Sequence, residues 1–590
     1  MKWNCGVVAG LFAAILAGCS PSAQTDIEFK SFAQLSERYF DDLLELNPVQ
    51  GTFVGRAEFN GRFENNLSDQ YLKARHQLNQ GYLDALLRLD RQGLTAEERL
   101  SRDTLQYELE LALVDETYPQ RFLPMNQFYN RVITFVQLGS GESAQPFNRV
   151  EDYDNFIQRM GEFSLWIDSA IVRMEEGSRS DVVLPRVLVQ RMIPQLQAQL
   201  DLVDQDSPFF APLQQLPDAL SQEERQALEQ RYRQALAQTV FPALTQLKDY
   251  LADVYLAKSR GSDGWGGLPN GQAWYQHLAN KHTTTRLSVD EIHHLGLEEV
   301  ARILTEMDRV RQQVGFAGDL SDFFAHLGSA PQFFFTEKSA LISAYSDLRN
   351  QINRVLPAYF DVMPIADYEV RAVEAFRERS AAGASYQAPA PDGSRPGFFY
   401  VNTFNLKAQP KWGMTTLSLH EAAPGHHFQI AIKQELEGVP SFQRFGGYTA
   451  FEEGWALYAE HLGIEMGLFH DPYQYFGKLS DEMLRAMRLV VDTGLHAKGW
   501  SRQQAIQYML DNSPLAESDV TAEVERYMAI PGQALSYKIG QLTIMRLRQE
   551  AETALGDRFE LKAFHNQVLM SGSLPMAVLE DKIRLWVAQY

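Results

Sequence analysis

The stretch His420-Glu421-Ala-Ala-Pro424-Gly425-His426-His427 constrains this chain more than any other. Three imidazoles and a carboxylate fall within eight residues, inside a segment that otherwise reads as an apolar helix. Two histidines can share one metal ion from a regular helix when they are four residues apart, as in the H-E-x-x-H pattern. Four residues turn the helix by roughly 400° and put both rings on one face. Here the gap is longer. His426 lies six residues after His420, which on a straight helix points it roughly 120° away. His427 lies seven after, on the right face but about 10 Å too far along the axis. Pro424 donates no hydrogen bond and its ring clashes with the carbonyl of residue 420. The expectation is therefore a bulge or kink in one helix, eased by Gly425, that carries His426 to the position of the second ligand. His427 is the alternative.

The stretch Phe451-Glu452-Glu453-Gly454-Trp455-Ala-Leu-Tyr458-Ala-Glu460 supplies the missing acid. Glu453 is the expected third ligand. Glu460, seven residues on and on the same helical face, is the alternative or supports a ligand from behind. Glu421, directly after the first histidine, is expected to be a general base that activates water and passes the proton to the leaving amine. A lone His-Glu pair is usually a solvated helix face, but five of the thirteen histidines lie between residues 420 and 470. Three of them flank the Pro-Gly break. A structural zinc site would be closed and cysteine-rich, and this chain holds two cysteines, Cys5 and Cys19. The expected cofactor is one Zn²⁺ per chain.

The sequence resembles the bacterial proteins grouped as domain of unknown function 885, regarded as relatives of gluzincin metallopeptidases. The resemblance rests on Gly271-Gln-Ala-Trp-Tyr275, Leu287 to Leu297, Arg395-Pro-Gly-Phe-Phe-Tyr400-Val-Asn402-Thr, His420 to Gln429, Glu453 to Tyr458, Arg488 to His496 and Pro531 to Gly540. It covers most of the chain. Glu453-Gly-Trp-Ala-Leu-Tyr also resembles the Asn-Glu-Gly-Phe-Ala helix of alanyl aminopeptidases, whose Glu is the third zinc ligand. Ser536-Tyr537 resembles the Tyr-Ser-Tyr segment of thimet-type oligopeptidases, in which a tyrosine hydroxyl stabilises the oxyanion. These resemblances imply a catalytic role for Tyr537 beside Glu421. They also imply a large helical body like that of oligopeptidases, and short peptides as substrates.

The first residues read as an export signal: Lys2, a short apolar core from Val7 to Leu16, and Leu16-Ala17-Gly18-Cys19, which resembles a lipobox. The expected organisation is a signal peptide over 1–18 and a lipidated Cys19 with a linker over 19–29. A helical lobe over 30–260 and a site-bearing lobe over 261–590 follow, either as two units or as one continuous domain. Ser20 after the cysteine implies, by resemblance to lipoprotein sorting, the outer membrane facing the periplasm. Without a disulfide in the mature chain, stability must come from the core. A net charge of −21 with no basic stripe argues against nucleic acid as a partner. The expected partners are a peptide and, through the lipid, the membrane.

Helical signals dominate, so the expected class is mostly α with a small β-sheet beside the zinc helix. Apolar residues recur at helical spacing from Phe32 to Leu44. Capping boxes are written at Thr95–Glu98, Ser221–Glu224 and Ser288–Glu291, and the stretch 222–258 reads as one or two long helices. Five glycines between Gly261 and Gly271 mark a connection or a hinge, the plain connection being favoured. His293-His294 is kept out of the metal shell. Gly397 to Phe404 is the clearest strand. Residues 398–403 are expected either to pair with substrate as an edge strand, with Tyr400 and Asn402 at the substrate, or to be a buried strand of a small sheet. Arg488, Asp492 and His496 share a helix face as an internal ion-pair ladder or, less simply, as support that puts His496 near substrate. Lys538 is a further candidate substrate contact. Two other functions remain open: a zinc amidase acting on cell-wall peptides, and a non-catalytic zinc-binding envelope lipoprotein.

Overall fold

The capping boxes at Thr95, Ser221 and Ser288 all form. In each, the hydroxyl accepts from the third helical N–H and the glutamate reaches back to the cap. They start helices Ala96–Asp115, Gln222–Ala235 and Val289–Gln313. The stretch 222–258 is a single helical rod in which Leu236–Val240 and Leu251–Tyr255 run as π turns. Phe32, Leu35, Tyr39, Phe40 and Leu44 make the buried stripe of helix Phe32–Leu46, as their spacing requires. The structure, a computed structural model, describes residues 29–202, 207–374, 378, 382–390, 393 and 395–590. The expected signal segment and Cys19 lie outside the described residues. Among the described residues, no helix is long and apolar enough to cross a membrane.

The fold is mostly α, with one small sheet among the described residues. Its strands are β1 (Tyr368–Ala372), β2 (Ala384–Gln387) and β3 (Gly397–Val401), in the order β1-β3-β2. β3 pairs parallel with β1 and antiparallel with β2, and all five of its residues are buried. This corrects one of the two expectations for this strand. Flanked on both sides, β3 has no free backbone edge to offer a substrate, and it is the buried strand of the alternative.

Six helices carry the metal-motif residues and their neighbours: α1 (Met414–Glu421), α2 (His426–Glu435), α3 (Thr449–Glu465), α4 (Pro472–Ala497), α5 (Glu517–Ala529) and α6 (Leu535–Leu555). α3 and α6 cross closely because glycine meets glycine. A Cβ on Gly454 would lie 2.6 Å from the Cα of Gly540, and one on Gly540 would lie 1.9 Å from the carbonyl of Ala450. Leu419, Phe428, Phe451, Trp455, Ile544 and Leu547 belong to one core around these helices. A second core runs from Val49 through Trp265 and Trp274 to Leu489, Leu535 and Ile539, so residues on both sides of position 260 share it. The glycine-rich connection is packed: a Cβ on Gly264 would lie 1.7 Å from the carbonyl of Leu495.

Candidate functional site

The break that the sequence marks with Pro424 and Gly425 is deeper than a bulge. α1 stops at Glu421, Ala422 leaves helical geometry at φ −104°, ψ −118°, and α2 starts afresh at His426. The expectation of one distorted helix is thereby corrected. Pro424 withholds the N–H that the helix would need. The restarting chain crosses so near the end of α1 that a Cβ on Gly425 would sit 1.9 Å from the carbonyl of His420 and 2.3 Å from that of Leu419. Gly425 has a negative φ, so closeness of approach, and not a left-handed torsion, requires glycine here. The Trp455 indole N–H fixes the turn by donating to the carbonyl of Pro424 at 2.7 Å.

This geometry brings His420, His426 and Glu453 together. One ligand atom from each lies within 4.8 Å of the other two. Glu453 Oε2 is 3.4 Å from His420 Nε2 and 3.5 Å from His426 Nε2. The two rings are nearly perpendicular, at 86°. Donors about 2.0–2.1 Å from one tetrahedral ion are about 3.4 Å apart, which is close to the observed spacing. Glu453 Oε2 and His426 Nδ1 are buried and take no hydrogen bond among the described residues.

His420 Nδ1–H donates to Glu460 at 2.7 Å, with Glu460 2% exposed. Glu460 is two turns beyond Glu453 on α3, so it sits behind the ligand ring and not in the cluster. This bond leaves the lone pair of His420 on Nε2, facing Glu453 and His426. Burial opposes charge on His420, but the nearby carboxylates of Glu453, Glu460 and Glu421 outweigh it, raising the imidazole well above its usual range. Burial alone would likewise push the Glu453 carboxyl up, yet His426 and His420 hold it well below the usual carboxylate range.

Glu421 ends α1 partly exposed. Its charge acts on both His420 and Tyr345. His427 turns the other way. Its Nδ1 is 2.8 Å from the Tyr386 hydroxyl of β2, its ring lies against Tyr368, and burial pulls it down to about 4. It is outside the ligand cluster.

Tyr537, 8% exposed, stands one turn before the Gly540 crossing, and its hydroxyl accepts from Arg526 Nη2 at 3.2 Å. Lys538 is not a surface contact. It is 1% exposed and pairs with Glu299 at 2.8 Å and Glu482 at 2.7 Å, and Glu482 also binds Lys478 and Arg302. His496 is fully buried between backbone groups, accepting from the Trp265 N–H and donating to the Tyr527 carbonyl, both at 3.0 Å. The ladder expected of Arg488, Asp492 and His496 does not form. Arg488 binds Glu523, while Asp492 takes Tyr275 and the Gly532 N–H. Tyr400 reaches Gln387 across the sheet at 3.3 Å, and Asn402 holds the carbonyl of Glu378 at 2.8 Å. These groups stand apart from the cluster's ligands. His293 binds Thr493 and His294 is exposed, as their exclusion from the shell implies.

Sequence reasoning passed over Asp481 on α4. Burial and Glu460 push its carboxyl up to about 6, against the pull of Arg485, His420 and Arg488. It is the electrostatic neighbour of both the ligand cluster and a group of arginines. The only signal in the sequence was that Asp481, Arg485 and Arg488 fall on one helix face.

The sequence matches a bacterial family of unknown function, DUF885, over residues 48–583. The chain belongs to DUF885. Two solved structures are similar to this DUF885 protein. One is that of an inferred lipoprotein from Colwellia psychrerythraea, 29% identical, covering 95% of this chain and 99% of that one, with a TM-score of 0.88. The other, an inferred lipoprotein of unknown function from Shewanella oneidensis, is 19% identical and covers 94% of this chain and 99% of that one. With a TM-score of 0.74, it shares the fold. Among curated proteins none matches the chain.

Proposed function

We propose that this DUF885 chain is a zinc-dependent metallohydrolase that cleaves peptide bonds in short peptides. The observation that carries the reading is the cluster of His420 Nε2, His426 Nε2 and Glu453 Oε2 at tetrahedral spacing, with Glu460 behind His420. The residues fit the ion. The buried Oε2 of Glu453 has no other partner among the described residues, and two imidazoles with one carboxylate are the donor set of hydrolytic zinc sites with an open position. When bound, zinc supplies Lewis acidity toward the amide carbonyl and water.

The chain's own groups do the rest. Glu460 holds the tautomer of His420 that leaves Nε2 free. Glu421 accepts a proton as water adds to the carbonyl carbon, then delivers it to the leaving nitrogen. The C–N bond breaks, and one water is consumed per carboxylate and amine formed. Tyr537, its hydroxyl oriented by Arg526, donates to the oxyanion. β2, the edge strand that touches α1 and α2, takes the backbone-pairing role that β3 cannot. The N-terminal segment with Cys19 anchors the chain in the envelope, in line with the two inferred lipoproteins that share the fold.

Turnover of a short-peptide library by the zinc-loaded protein tests the reading. Glu421→Gln should keep the metal and lose activity by about 10²–10⁴-fold. Equal turnover by Glu421→Gln would overturn the role given to this residue.

A further inference from the structure

Three guanidinium groups gather on one tyrosine. The Cζ atoms of Arg488, Arg485 and Arg526 lie 4.3, 5.3 and 6.0 Å from the centre of the Tyr537 ring. The acids among them are too few. Glu523 pairs with Arg488 at 2.9 Å and with Arg526 at 3.5 Å, and Asp481 lies beside Arg485 and Arg488. Arg485 makes no hydrogen bond or ion pair among the described residues. One N–H-bearing nitrogen of each guanidinium is buried without an acceptor: Nε of Arg485, Nη1 of Arg488 and Nε of Arg526. Arg488 itself is 3% exposed. Buried charged donors are rarely left unmatched, and a guanidinium fork is shaped for a planar carboxylate.

The group adjoins the ligand cluster. Asp481 feels the charges of Glu460 and His420 and also those of Arg485 and Arg488, so one carboxyl lies within reach of both groups. Along α4, Arg485 and Arg488 stand about 6 and 10 Å beyond Asp481, a span of roughly two or three extended residues. The other lobe packs against Arg526. The Phe128 ring is 5.1 Å from the Arg526 Cζ, while the Asn126 and Gln127 amides donate to the carbonyls of Ala529 and Glu525 on α5. A wall suits a chain end better than a chain passing through.

We infer that Arg485, Arg488 and Arg526 bind the terminal α-carboxylate of the peptide, so that the protein removes residues from peptide C-termini. This rests on the peptidase reading above and narrows its substrate class.

Matched N-acetylated peptides ending in a free carboxylate or a carboxamide test it, using wild type, Arg485→Ala and Arg485→Lys. Arg485 is partly exposed and makes no hydrogen bond or ion pair among the described residues, so its loss breaks neither, and Lys keeps the positive charge beside Asp481. Free-acid peptides should be cleaved with kcat/KM about tenfold to a hundredfold above the amides. Arg485→Ala should erase most of that preference through KM, and Lys should restore part of it. Equal cleavage of both peptides by the wild type overturns the anchor and leaves the peptidase reading standing. A preference that follows a Glu against Gln side chain, and ignores the terminal group, also overturns it. Calorimetry on Glu421→Gln with the same peptides separates the two claims. Preferential binding of free acids, without turnover in the wild type, keeps the anchor and sinks the peptidase reading.

Discussion

The indole N–H of Trp455 donates to the carbonyl of Pro424 across 2.7 Å, tying the helix that carries Glu453 to the turn that aims His420 and His426. The ligand cluster is thus held by a bond between elements, not by either helix alone. Trp455→Phe keeps one aromatic ring and removes the donor, leaving a buried carbonyl unmatched and part of the indole's volume empty. The expected loss is about 1–3 kcal/mol of stability, with weakened metal affinity. Calorimetric unfolding and a competitive zinc titration would measure both. Unchanged values would show that the turn holds itself.

Gly425→Ala places a methyl against two carbonyls of α1, at 1.9 and 2.3 Å. The chain must separate the helices to fit it. Metal affinity should fall far more than in Ala423→Gly, which loosens the same turn without a clash. Similar affinities in the two variants would contradict the steric account.

Glu460→Gln keeps an acceptor for the Nδ1–H of His420 but removes the charge. Outer-shell substitutions of this kind typically lower metal affinity by about 10–100-fold. The fold should be little affected, so circular dichroism should match wild type while the zinc dissociation constant rises.

A pH signature is expected outside the ligand cluster. Burial pushes the Glu108 carboxyl up to about 7, against a hydrogen bond from the Tyr39 hydroxyl at 3.1 Å. The folded state therefore holds this proton more tightly than the unfolded chain. The resulting stabilisation is complete below about pH 4.5 and is lost as pH rises through 7. Glu108→Gln keeps the acceptor and cannot ionise. It should unfold near wild type at pH 5 and gain on the order of 1–3 kcal/mol at pH 8. Denaturant unfolding at the two pH values checks this, and an equal effect at both would contradict it.

Much of this was legible in the sequence for specific reasons. His420, Glu421 and His426 carry a local signal: ligand types beside a residue that cannot continue a helix. The capping boxes were legible because both partners lie within one turn. The depth of the break at Pro424 was not, because it depends on how closely the chain passes the carbonyl of His420, a tertiary distance. Lys538 and His496 looked available because helical periodicity cannot show that Glu299, Glu482 and the Tyr527 carbonyl arrive from other helices. The role of β3 was misjudged in one of its two forms because strand propensity does not reveal strand order. The arginine group was invisible for the same reason, since Arg485 and Arg526 come from different helices and meet only at Tyr537.

The most direct test of the central claim is zinc content, by elemental analysis after zinc loading and removal of excess, in wild type, His426→Ala and His427→Ala. The account predicts about one zinc per chain in wild type, loss in His426→Ala and retention in His427→Ala, whose imidazole faces Tyr386. A wild type that takes no zinc would contradict the account, and so would loss confined to His427→Ala.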